Sequence, residues 1–218
     1  MKLFIFSLAL AVNLFFVSDS SGQYLIYEDK MQLEMFHSQL QTAAKEELIT
    51  IIKEKESDPY QKAAAVRVLG EKYLPHVAGE EKKQLEEMLR IAFRRGGSSF
   101  VRIEIAATLC NSNRSQYFFD MVPFLIRRLN NENNVVARLA DERLKAILNN
   151  GRTTEKEATI VLDTAKGLIM REDVESGKVA DFNQGLGLIR WSLDVLGESA
   201  YKRLPYEIKD LLDKGGGK

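Results

Sequence analysis

Four ten-residue windows of this chain can be laid on one another, and their agreement constrains the fold more than any other feature. They read QKAAAVRVLG from Gln61, VRIEIAATLC from Val101, VARLADERLK from Val136 and LIRWSLDVLG from Leu188. The ninth residue is leucine each time: Leu69, Leu109, Leu144 and Leu196. The fifth is small or apolar (Ala65, Ile105, Ala140, Ser192), and the first is Val101, Val136 or Leu188, with Gln61 departing. Steps of four mark one face of a helix. The leucines are 40, 35 and 52 residues apart. Periods of this size point to stacked helix pairs, because one pair cannot hide its apolar stripe alone.

Each window follows another apolar stretch at helical spacing. Leu33, Phe36, Leu40, Ala44, Leu48 and Ile51 form one stripe, so residues 29–56 are expected to be a single amphipathic capping helix. Asp58 is placed to cap the next helix, with Pro59 at its first position, where a missing amide proton costs nothing. Glu80 and Glu81 open a helix that Arg94 and Arg95 close, both favourable with the helix dipole. Gly96 and Gly97 stop it, and Ser98 or Ser99 caps the following one. The third pair runs from near Arg114 to near Asn149, and Thr154 with Glu157 makes a capping box for the fourth. Pro123 lies past Tyr117 and Phe118 in the third pair, so it is expected inside a helix, as a kink. A looser stretch, REDVESGKVAD, divides the fourth pair; a short helix, PYEIKDLLDK, precedes a Gly-rich end. No run alternates as a strand would.

The third pair resembles a HEAT repeat. Pro123 matches that family's early proline, and a polar turn, NNENN, stands where the family prefers Asp. Val101-Arg102 matches its Val-Arg, whereas Val136 is followed by Ala137 and the arginine comes at Arg138. Asp58, Pro59 and AAAVRVLG resemble the bacterial HEAT-like variety. The similarity covers about residues 30–200, and the fourth pair departs most. It implies an all-α, right-handed α-solenoid of about four HEAT-like helix pairs with capping helices, in which the second helices line the concave side. Such repeats serve many partners, so the resemblance specifies fold and not function.

The N-terminus has the pattern of a signal peptide. Lys2 precedes an apolar run, Leu3 to Val17, and SDSSGQ follows with small residues suited to cleavage. Residues 1–22 are therefore expected to be removed, leaving one domain over 23–213, a frayed tail over 214–218, and a periplasmic or secreted location. The run is shorter than the roughly 20 apolar residues a membrane span needs. A retained membrane tether is the rival reading. Cys110 is the one cysteine, so no internal disulfide supports the fold. Lysine plus arginine equals aspartate plus glutamate, 31 each, which weighs against a nucleic-acid partner.

No catalytic constellation stands out. His37 and His76 lack a metal-binding spacing, and no cofactor motif occurs; GLGLIR, from Gly185, lacks the context of a phosphate loop. Cys110 fills a slot that is glycine in two windows, so it reads as a small packed residue. Asn113-Arg114-Ser115 is a glycosylation triplet, meaningful only in a eukaryotic secretory route. The arginines of the second helices, Arg67, Arg102, Arg138, Arg143 and Arg190, with Trp191, are the candidate contacts for another protein or peptide, since arginine and tryptophan are enriched at interface centres. For Arg102 and Arg138 the plainer role is to brace adjacent repeats by hydrogen bonds to carboxylates or turn carbonyls. The expected function is a protein-binding module acting through its concave face. The rivals are a HEAT-like enzyme of the DNA-alkylation-repair or bilin-lyase type, and a structural scaffold subunit of an envelope complex.

Overall fold

Local chemistry sets the helix boundaries. The computed structural model describes residues 21–171 and 179–214, and among these there are helices and no strand. In chain order they are α1 Ser21–Leu40, α2 Lys45–Lys53, α3 Pro59–Val68, α4 Gly79–Arg94, α5 Ser99–Ser112 and α6 Arg114–Arg128. Then come α7 Asn134–Asn149, α8 Glu155–Arg171, α9 Val179–Leu196, α10 Glu198–Lys202 and α11 Tyr206–Lys214. The Asp58 carboxylate accepts the amides of Tyr60 and Gln61 at 2.7 and 3.2 Å, with Pro59 first in α3. Ser98 caps α5 through the Phe100 amide, and Gly96 and Gly97 end the α4 segment at φ of 83° and 106°, a region that glycine enters freely. Thr154 and Glu157 cap one another reciprocally at the start of α8. Pro123 lies buried well inside α6, where it cannot donate to the turn before it.

The stripe expected to be one helix over residues 29–56 is two helices. The chain turns at residues 41–44, and Ala43 is buried in that turn, its carbonyl accepting the Tyr73 hydroxyl at 2.7 Å. The cause is tertiary. Both α1 and α2 pack on α3, but α1 also reaches α7, and one straight rod cannot do both. The apolar run Leu3–Val17, most of the looser stretch and the Gly-rich tail lie outside the described residues.

Helices α3, α5 and α7 stand side by side, each against the next. Leu69, Leu109 and Leu144 are 0, 0 and 1 % exposed, at the heart of one core that runs from Leu33 to Val161. The row is three long, not four. Helix α9 makes no substantial contact with α7; the fourth pair joins through α8 against α6. Leu196 is half-buried in a second, smaller core with Leu162, Ile169, Leu186, Ile189 and Ile208. The physical reason lies in α8, whose Val161 faces the large core while Leu162, Ala165 and Ile169 face the small one.

One close approach in the row is made by a glycine. After Val68 the helix loosens into a π turn, Leu69–Tyr73. There a Cβ on Gly70 would stand 2.7 Å from both Cγ2 and Oγ1 of Thr108. Only a residue without a side chain lets α3 and α5 meet at this level.

Candidate functional site

The arginines singled out in the sequence do not gather on one surface. Arg67 and Arg143 converge on Glu104, which is 1 % exposed. One oxygen of that carboxylate accepts from Arg67 Nε and Nη2 at 3.1 and 2.9 Å, and from Arg143 Nη2 at 2.9 Å. A third Arg67 nitrogen reaches Glu34 of α1 at 3.0 Å. Burial raises the Glu34 pKa, but the Arg67 hydrogen bond and charge outweigh it, and the net shift is downward. These two arginines therefore tie α1, α3, α5 and α7 together. Helix α1 lies over them, and its Asp29 also meets Asn133, the cap of α7, at 3.3 Å.

Arg102 points elsewhere. Its guanidinium carbon lies 4.7 Å from the Phe93 ring centroid and 4.6 Å from that of Phe124, while Arg128 lies 4.9 Å from Phe124. Arg102 thus joins α4, α5 and α6 through aromatic faces, and no carboxylate lies within ion-pair distance of it among the described residues. Arg138 is exposed on α7 and has no ion-pair partner among the described residues. Arg190 is exposed and donates to the Leu212 carbonyl at 3.2 Å. Trp191, its neighbour, is half-buried against the large core. Adjacent residues of α9 thus serve opposite sides of the seam.

A concavity that the sequence did not single out lies between α2 and α4. The Lys45 ammonium of α2 pairs with the Glu81 carboxylate of α4. Elsewhere the two helices make no substantial contact, and a cleft of about 1570 Å³ separates them. Its apolar lining is Ile52, Met88, Ile91, Ala92 and Val101. Ile91 is 39 % exposed, large for an isoleucine with no partner. Lys53, Lys55, Lys83 and Arg95 stand around it, exposed and without carboxylate partners among the described residues. The acids of the lining are largely engaged: Glu86 accepts the Ser112 and Tyr117 hydroxyls, and Glu87 is held by Arg90. Burial, then the Glu86 charge, pushes the Tyr117 phenol up to about 12, so it stays protonated as a donor.

Catalytic chemistry finds little support in the other groups. Cys110 is 2 % exposed, and burial pushes its thiol up to about 12, the reverse of an activated nucleophile. His37 stands 2.9 Å from both Glu71 and Gln41 on the surface. Among the described residues no group of three or more histidine, cysteine or acidic side chains is placed to hold a metal ion. No helix of the described residues is long and apolar enough to cross a membrane. Comparison with protein-family models, with curated proteins and with solved structures finds no match to this chain.

Glu104 carries a sign in the sequence: it is the one acid inside the largely apolar run FVRIEIAATLC, and a carboxylate buried there requires a partner. The cleft carried no such sign, since its cations read as ordinary solvated helix ends.

Proposed function

We propose that this chain is a helical-repeat binding module, similar in kind to HEAT-like proteins, that holds a segment of another protein and catalyses nothing. The row α3, α5, α7 is then the start of a right-handed solenoid, with α8 to α11 as its cap. The observation that carries the reading is the cleft between α2 and α4. It combines an apolar lining with unneutralised cations at its margin, the arrangement that receives an amphipathic helix or peptide. Apolar contact supplies affinity there and charge supplies orientation. Because α1 covers Arg67 and Arg143, the partner meets the outer helices and not the second-helix row. The module works outside the cytoplasm, after removal of residues 1–22.

Co-purification from the native compartment tests this. The full chain, tagged at its C-terminus, recovers a partner stoichiometrically. Met88→Asp with Ile91→Asp abolishes recovery, whereas Arg190→Ala with Trp191→Ala does not. The reverse pattern moves the binding surface to α9 and ends the cleft reading. N-terminal sequencing of the purified chain checks the export step.

A further inference from the structure

Four arginines with intramolecular roles show how this fold treats a guanidinium. Arg67, Arg90, Arg114 and Arg143 each hold a carboxylate at 3.0 Å or closer. Arg102 and Arg128, partly buried, hold none. The Nε of each is shielded from solvent with no acceptor. Neither lies within 4 Å of a carboxylate of the described residues. Glu104, two positions along α5 from Arg102, is turned the other way, into Arg67 and Arg143. Glu132, in the turn after α6, pairs with neither. The chain has as many acids as bases, 31 of each, so the vacancy is local and not a consequence of a basic protein.

The two guanidiniums are also fixed in place. The Arg102 guanidinium sits against both Phe93 and Phe124, and that of Arg128 sits against the same Phe124. Phe93 and Phe124 meet edge to face at 4.9 Å. Contact with aromatic rings holds each guanidinium, and its Nη nitrogens, unlike the Nε, are not shielded from solvent and can bond a ligand. Two cations on one ring repel, and burial together with the Arg128 charge lowers the Arg102 pKa. Arg94 and Arg95, just past Phe93, and Arg127, beside Arg128, are exposed and raise the positive potential of this corner further. A preorganised, mutually repelling pair of forked donors without an acceptor is complementary to a multi-oxygen anion.

We propose that Arg102 and Arg128 form a binding site for an oxyanion, a phosphate or a carboxylate, supplied from outside the chain. The site is built by the ends of α4 and α6 and the first turns of α5, and it does not depend on the cleft reading. Nitrogen-15 spectra of the arginine Nε–Hε groups test it on the whole soluble chain, with inorganic phosphate in one arm and glutarate in the other, at constant ionic strength. The Arg102 and Arg128 resonances move and saturate, while those of Arg67 and Arg143 stay. Saturation by phosphate alone assigns a phosphate-type ligand; saturation by both assigns a general oxyanion site. Saturation by glutarate alone assigns an acidic side chain. Arg128→Gln weakens the binding about tenfold or more, as loss of a charged hydrogen-bond donor does. Arg128→Lys keeps the charge, loses the fork, and binds at an intermediate level. If the wild-type shifts grow linearly without saturating, or if all exposed arginines shift alike, the site does not exist. That titration decides the matter even if a variant fails to fold.

Discussion

The three-helix row α3, α5, α7 and the C-terminal assembly α8 to α11 come from the same sequence pattern, yet they are held differently. In the row, leucines at one register meet along a shared core, and a buried carboxylate clamps two arginines across it. In the C-terminal assembly the corresponding leucine is half-buried, and the ion pairs within it among the described residues are exposed ones; the buried carboxylate of Glu157 ties it to Arg114 of α6 instead. The lesson is that a recurring motif fixes what each helix can do, while the neighbour decides whether it does so. Leu196 holds the same place in the pattern as Leu109, but it is only partly buried, against the smaller core.

Removing the Glu104 clamp should disturb the row most. Glu104→Ala leaves Arg67 with Glu34 alone and Arg143 without its carboxylate, and lowers stability by about 3–5 kcal/mol in urea unfolding, the range for a buried pair that loses one partner. A loss below about 1 kcal/mol would show the network to be decorative. Next come the leucines. Leu109→Ala costs about 2–5 kcal/mol, whereas Leu196→Ala, half-buried, stays below about 1.5 kcal/mol. Equal costs would erase the difference between the two regions.

Gly70→Ala sharpens the comparison inside the row. The new methyl meets Thr108, and the α3–α5 contact loosens at a cost of about 1–3 kcal/mol. Thr108→Ala in the same chain restores most of it, as a coupled pair should; additive losses would refute the contact. The smallest effect concerns the seam. Arg114 of α6 holds Glu157 of α8 at 2.7 Å. Burial raises the Glu157 pKa, but Arg114 and Thr154 prevail and the net shift is downward. A depressed carboxyl contributes stability that is complete above its unfolded value and is lost as pH falls through its folded value. Glu157→Gln therefore costs about 1–2 kcal/mol at neutral pH and flattens the acid limb of the melting curve. Parallel pH profiles for wild type and variant would sink that assignment.

Much of this was legible in the sequence, and the rest was not for identifiable reasons. Helix starts were readable because caps are local: Asp58, Ser98 and Thr154 act on amides two or three residues away. The turn at residues 41–44 was invisible because neither glycine nor proline marks it; it is imposed by where α3 and α7 stand. Arg102 was expected to brace neighbouring repeats through carboxylates or carbonyls, and it spans three helices through aromatic rings instead. Residue type pointed to an arginine with work to do, but its partners depend on which helix ends converge. The cleft between α2 and α4 is a property of spacing between two helices, which no single stretch of sequence encodes.

The position of α1 has a consequence for how the chain is made. Asp29 meets Asn133 across 104 residues of sequence. Helix α1 can dock on α3 as soon as that helix is made, but its contact with the cap of α7 must wait until the third pair has followed it out of the ribosome. Its inward face, with Leu33 and Leu40, is met early by α3, and the seal against α7 closes only once Asn133 and its helix have been made.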